Sequence, residues 1–235
     1  IKDLQEKHDL YCLSANFTLY CALSARVHGI ISGLSEECEQ YSCDESFVSL
    51  AGYPGNQAER VQRVRDRILR WTGVPTGAGL GTTKNIAKLG SHISKAAWRK
   101  PGSYPPEYSG LCDLTSVNAG VLQDCMARTA VKEVWGVGPA FGKRLAECGV
   151  ITALALARLD ARYARPQFGV PLERTIRELY GIACIPVESQ PQPRQQVAYT
   201  RSLGQPVSGR QDLMDIGGNF AEHLSIKIRT RASVT

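Results

Sequence analysis

The sequence predicts an α/β unit, then a helical segment, then a short strand-and-helix segment behind a proline-rich linker. Three observations predict this. Before Lys100, helical patterns alternate with short runs of strand character. From Ser116 to Gly181 the spacing is helical, with short breaks. Pro-rich stretches divide the parts, at Lys100-Pro101-Gly102-Ser103-Tyr104-Pro105-Pro106 and at Glu188 to Gln195, with Gln190-Pro191-Gln192-Pro193 inside it.

Each element follows from local pattern. Tyr11-Cys12-Leu13 reads as a short strand. Leu19, Leu23, Val27 and Ile30/Ile31 then share one helical face. Around Asp44, Tyr41 on one side and Phe47 and Val48 on the other read as a strand pair. Ala58 to Trp71 is a strongly amphipathic helix, with Val61, Val64, Ile68 and Trp71 on one face and four arginines between them. Val74 to Gly81 is a glycine-rich strand leading into a loop. Thr82 or Thr83 can cap the next helix, which runs to about Ala97. The order is β-α-β-β-α-β-α. Beyond the linker, Val197 to Leu203 is strand-like and a helix spans about Arg210 to Ile228.

Composition bounds the function classes. The 235 residues allow one or two domains, and 43% hydrophobic with 21% charged content is ordinary for a globular chain. A net charge of +6 permits a polyanionic partner without requiring one. The eight cysteines form no C-x-x-C pair, and none of the four histidines lies at zinc-ligand spacing from them. Such scattered cysteines read as reduced, partly buried thiols of a cytoplasmic protein. No run spans a bilayer and no signal peptide is visible. The chain starts at Ile1 in mid-pattern and stops just after a helix, as a piece of a longer protein would.

The pair Asp44-Glu45 carries the most chemistry. Neighbouring side chains in a strand face opposite sides, so two acids reach one site only at a strand end or hairpin. There they are either solvated turn residues or hard oxygen ligands for Mg²⁺ working on phosphates. In the helix Thr83–Ala97, Lys84, Lys88 and Lys95 fall within about 40° of one another, roughly opposite Ile86, Leu89, Ile93 and Ala97. The lysines are a solvated face or a phosphate-binding stripe. The glycines at 77, 79 and 81 make neither a P-loop, since Thr82 follows Gly81, nor a dinucleotide fingerprint. Trp135-Gly136-Val137-Gly138-Pro139 lies between helical patterns at Val131–Trp135 and Ala140–Cys148. It is a plain tight turn or the hairpin of a helix-hairpin-helix, whose glycines admit a nucleic-acid phosphate near Lys143 and Arg144.

Several motifs together resemble the Y-family DNA polymerases, and among them the UmuC-like branch. They are Tyr41-Ser42-Cys43-Asp44-Glu45, Gly79 to Lys88, Trp135-Gly136-Val137-Gly138, the tail Phe168 to Gly181, Tyr199 to Gly204, and Ser14 to Tyr20. The resemblance covers nearly the whole chain. It implies a ferredoxin-like α/β palm with one mixed sheet and helices on one face. An all-α helix-hairpin-helix thumb and the start of an α/β little finger follow. The boundaries are 1–10 for the end of the fingers, 11–112 for the palm, 113–187 for the thumb, 188–195 for the linker and 196–235 for the little finger.

The resemblance also implies roles. Asp44 and Glu45 would be catalytic carboxylates holding two Mg²⁺ ions. Lys95 and Lys88 would bind the nucleotide triphosphate. Gly136, Val137, Gly138, Lys143 and Arg201 would contact DNA. The implied activity is error-prone translesion synthesis in the SOS response, with primer-template DNA, dNTP, a UmuD-like subunit and a RecA filament as partners and no membrane. The family's D-x-N-x-F-Y strand, with a third metal-binding Asp and the aromatic that excludes ribonucleotides, is not in this chain. The chain alone is therefore expected to be inactive. Two other readings stay open: a non-catalytic helix-hairpin-helix DNA-binding relative, and a palm-fold nucleotide cyclase.

Overall fold

The structure, a computed structural model, describes residues 2–232 apart from Asp9, Cys12, Ser14 and residues 191–195. Two units emerge, Ile1–Ser189 and Gln190–Thr235.

In the first unit, α1 (Lys2–His8) precedes α2 (Phe17–Ile31). Helix α2 starts where Asn16 Oδ1 accepts the Leu19 N–H at 3.0 Å, satisfying one of the free amides of the first turn. Strands β1 (Cys38–Gln40) and β2 (Ser46–Val48) form an antiparallel hairpin with Glu39 opposite Phe47. Helix α3 (Gln57–Thr72) opens with a reciprocal cap. Asn56 Oδ1 accepts the Glu59 N–H, and the Asn56 amide donates to Glu59 Oε1. It stops at Gly73, whose φ of 72° is the left-handed geometry that ends helices.

Strand β3 (Ala78–Leu80), helix α4 (Lys84–Arg99) and parallel strand β4 (Leu111–Asp113) form a crossover unit, with Gly79 opposite Cys112. The Thr83 hydroxyl caps α4 through the Ile86 N–H at 3.2 Å. The glycine-rich run has a packing cause. A Cβ at Gly79 would strike the Ser91 amide and the Ala87 carbonyl, and one at Gly81 would strike the Ala87 amide. Strand and helix meet backbone to backbone, which only glycine permits.

Helices α5 (Ala119–Arg128), α6 (Pro139–Glu147), α7 (Ala153–Ala157) and α8 (Ala161–Leu179) follow. Pro166 and Pro171 both lie within α8, and the helical geometry breaks between them at Gly169, φ 83° and ψ 175°. One continuous apolar cluster runs from Ile86 to Leu179, with Ile93, Leu145, Leu156 and Leu172 fully buried. It includes residues on both sides of position 112. In the second unit, α9 (Arg210–Ala232) carries His223, on which the Tyr199 ring stacks at 5.0 Å. No described helix is long and apolar enough to cross a membrane.

Three expectations are corrected. The mixed sheet is instead two separate two-stranded sheets, β1–β2 and β3–β4, among the described residues. No described strand pairs β2 with β3. Tyr11 and Leu13 are irregular, 88% and 92% exposed, and pair with no described strand; Cys12 lies outside the described residues. Val197 to Leu203 is irregular too. An extended segment becomes a strand only when a neighbour takes its N–H and C=O groups, and the described second unit offers a single helix. Of the cysteines, Cys112 and Cys125 are buried, whereas Cys21, Cys43 and Cys148 are exposed.

Candidate active site

The turn between β1 and β2 carries the acids. The Tyr41 and Ser42 N–H groups both donate to the Glu45 carbonyl, at 3.0 and 3.1 Å, which closes the turn with Asp44 at its tip. The Ser42 hydroxyl donates to Asp44 Oδ1 at 2.6 Å. That bond, above all, holds the Asp44 carboxyl below the usual 3.8, with Lys95 adding to it and partial burial opposing it.

Helix α4 brings the lysines to the same turn. Lys88 Nζ donates to both Glu45 oxygens, at 2.7 and 2.8 Å, and Lys95 Nζ lies 3.6 Å from Glu45 Oε1. One helical turn earlier, Lys84 pairs with Glu39 on β1 and sits 4.7 Å from the centre of the Phe47 ring. The stripe read from the angles thus exists, but its members differ. Lys84 is buried in a pair with Glu39, whereas Lys88 and Lys95 are partly exposed beside Glu45; all three line an open cleft of about 1550 Å³ with Asp44 and Glu45.

Two clasps join this region to the helical segment. The Trp135 Nε1–H donates to the Tyr41 hydroxyl at 3.0 Å, and Tyr41, Phe47 and Trp135 form an aromatic cluster with centroids 5.3–5.6 Å apart. Fully buried Glu178, near the end of α8, accepts the N–H groups of Asn85, Cys184 and Ile185 at 3.0, 3.1 and 2.8 Å. Its carboxylate therefore sits at the N-terminus of the lysine helix, where negative charge is favoured.

The glycine hairpin follows a single 3-10 turn, Val131–Glu133, rather than the longer helix expected before it, and leads into α6. The shortening has a local cause: Val134 is already extended, with ψ 130°, so the helical ladder stops there. Gly136 has φ 91°, and a Cβ there would meet the Thr175 hydroxyl at 2.5 Å. Val137 is buried, and Lys143 is exposed on α6. Arg201 is exposed on the irregular segment of the second unit. The structure therefore brings together Asp44, Glu45, Lys88 and Lys95. Gly136 to Gly138 adjoin them through Trp135, and Arg201 belongs to a unit described by itself.

Sequence reasoning missed Glu39, Glu178, Trp135 as a donor to Tyr41, and His28. Buried His28 on α2 bonds Ser46 Oγ through Nδ1 at 2.6 Å and the Ser42 carbonyl through Nε2 at 3.1 Å. A signal was present: Ser24 and His28 are a polar pair four residues apart on a largely apolar helix.

Known proteins share this plan. Residues 1–92 match the family model described as impB/mucB/samB family. Protein MucB of Escherichia coli is 36% identical over 231 residues, 97% of this chain and 53% of MucB. Protein UmuC of Salmonella typhimurium is 30% identical over 230 residues, 97% of this chain and 52% of its own. The fold is similar to that of a DinB family error-prone DNA polymerase from Sulfolobus solfataricus, with TM-score 0.63 and 18% identity over 80% of this chain and 54% of that one. Residues 1–92 thus carry the impB/mucB/samB match, and the mixed helical and sheet fold is similar to that of Y-family polymerases. It spans about half the length of the curated relatives it matches.

Proposed function

We propose that the protein carrying this chain is an error-prone translesion DNA polymerase, extending a primer by template-directed nucleotidyl transfer on damaged DNA. The observation that supports this most is the meeting of the Asp44–Glu45 turn with Lys88 and Lys95 in one cleft. Acids and ammonium groups at one edge suit a substrate that brings both phosphate oxygens and a divalent ion. The relatives' names point the same way: MucB, UmuC and DNA polymerase IV 2 of Mycobacterium tuberculosis.

In this reading residues 11–112 act as palm, 113–187 as thumb and 196–235 as the start of the little finger. The donor set fits Mg²⁺ in kind: two hard carboxylates, with Asp44 exposed and held in its ionised form. It falls short in number, because no group of three acidic, histidine or cysteine ligands exists among the described residues. When bound, Mg²⁺ would supply charge stabilisation for the attacking and leaving oxygens. The chain's own residues do the positioning. Lys88 and Lys95 neutralise Glu45 until a triphosphate offers them a second partner, which releases the carboxylate. Gly136 to Gly138 would lie against the DNA backbone, with Lys143 one turn on and Arg201 on the template strand. A UmuD-like subunit and a RecA filament would recruit the protein in the SOS response.

The test is Asp44→Asn in the intact protein. A neutral amide keeps the Ser42 contact but loses the charge that holds a divalent ion. Primer extension disappears while primer-template binding stays within a few-fold of wild type. Measurable extension by that variant at ordinary Mg²⁺ overturns the reading. No extension by the wild-type protein, with primer-template binding intact, would instead favour the non-catalytic DNA-binding role.

A further inference from the structure

We propose that His28 is a positioning residue that sets the Asp44–Glu45 turn from helix α2. The inference rests on the reading of those two acids as metal-binding carboxylates. A buried imidazole is most often a satisfied core residue, and its burial alone would mean little. Here both ring nitrogens are spent on one hairpin turn, on the two serines that bracket the acids. Nε2 faces the Ser42 carbonyl at 3.1 Å, and Nδ1 faces the Ser46 hydroxyl at 2.6 Å. A carbonyl only accepts, so Nε2 carries the proton, and in the neutral ring Nδ1 accepts from Ser46. One turn earlier on the same helix the Ser24 hydroxyl donates to the Cys43 carbonyl. Helix α2 therefore holds positions 42, 43 and 46 of the turn, through side chains four residues apart.

The turn needs such support. Its own backbone bonds within residues 41–45 both end on the Glu45 carbonyl. Ser42 then passes the restraint on. Its carbonyl takes the imidazole while its hydroxyl donates to Asp44 Oδ1 at 2.6 Å. Imidazole, Ser42 and Asp44 form one chain of contacts, so the imidazole decides where the Ser42 hydroxyl, and hence the carboxylate, points. Partners of this kind behind metal-binding carboxylates commonly change affinity when removed, because the ligand loses its fixed orientation.

The experiment uses the intact protein and compares His28→Leu, which keeps apolar packing, with His28→Gln, whose terminal amide can still donate to the Ser42 carbonyl. The probe is Tb³⁺ luminescence, titrated without DNA or nucleotide. It is read beside the Mg²⁺ concentration for half-maximal primer extension and the melting temperature. His28→Leu weakens Tb³⁺ binding and raises the Mg²⁺ requirement by about tenfold, with the nucleotide KM nearly unchanged. His28→Gln recovers most of the Tb³⁺ affinity even where its melting temperature falls. Ser24→Ala, a small change at the other contact, weakens Tb³⁺ binding to a lesser degree and keeps the test decisive should His28→Leu not fold. Wild-type Tb³⁺ affinity in His28→Leu and Ser24→Ala, or a Gln variant that tracks Leu in every readout, overturns the proposal. Asp44→Asn separates the two failures. If it loses Tb³⁺ binding and extension while the His28 variants bind normally, only the role of His28 fails. If it binds Tb³⁺ and extends like wild type, the polymerase reading itself fails.

Discussion

Helices α4 to α8 and the β1–β2 hairpin belong to one unit, yet different forces hold them. The helices surround a continuous apolar cluster in which Leu145, Leu156, Leu172, Ile176 and Leu179 are at most 3% exposed. None of its residues precedes Ile86. The hairpin buries one large apolar side chain, Phe47. The rest of its attachment is polar or aromatic: Lys84 to Glu39, Lys88 to Glu45, His28 to Ser42 and Ser46, and Trp135 to Tyr41. Next to it, Phe17 and Tyr20 of α2 are 74% and 60% exposed. Apolar burial is non-directional and grows with area, so it gives a rigid base. Polar contacts are directional and exchangeable. Placing the acids on the second kind of support lets partners change at the site without opening the core.

The contrast can be broken at its strong side first. Leu172→Ala empties a fully buried position in the cluster and should cost about 2–5 kcal/mol in urea denaturation. Unfolding of the hairpin at lower urea than the helices in that variant would show the two parts to be separable. Glu178→Ala comes next. It strands the buried amide of Asn85 and the part-buried amides of Cys184 and Ile185, at a cost of about 2–3 kcal/mol. Because Glu178 ties α8 to the start of α4, this variant should also loosen the lysine helix, read as faster amide exchange near residue 85. Protection unchanged there would mean that α4 is held by its apolar face alone.

Trp135→Phe sharpens the comparison at smaller scale. It removes the N–H to Tyr41 and keeps an aromatic ring, so about 1 kcal/mol is lost. Amide protection should fall across residues 41–48 and stay constant in α8. A uniform fall across both would deny the hairpin its separate support. The smallest effect is acid titration. The Asp44 carboxyl lies below its ordinary 3.8, so its contribution is complete above about pH 4 and is lost as pH falls through its lowered value. Asp44 is exposed, so solvent screens most of this. The Trp135 fluorescence should change in that range before the far-ultraviolet helix signal does. If the helix signal moves first, the hairpin is not the more acid-sensitive part.

Much of this was legible in the residues. The period of 3.6 located α2, α3 and α4, because each has an apolar face that the period records. Asp44 and Glu45 between two strand-like runs announced a turn, and the angles of Lys84, Lys88 and Lys95 announced one stripe. The failures have a common cause. The expected strands at Tyr11–Leu13 and Val197–Leu203 have suitable residues, but a strand exists only through its neighbour, and pairing is not written in a single segment. The same holds for the single sheet that the structure divides in two.

Motif identity and helix phase were thus determined by the sequence itself, since both depend on neighbours a few positions apart. The tertiary structure alone decided which lysine meets which acid. Lys84 and Lys88 lie on one stripe, yet one is buried against Glu39 and the other is partly exposed against Glu45, 45 and 43 residues away along the chain. It also decided that His28, on a helix that reads as apolar, spends both nitrogens on the acidic turn. Contacts at such separations depend on how the elements pack, and no local pattern encodes the distance between them.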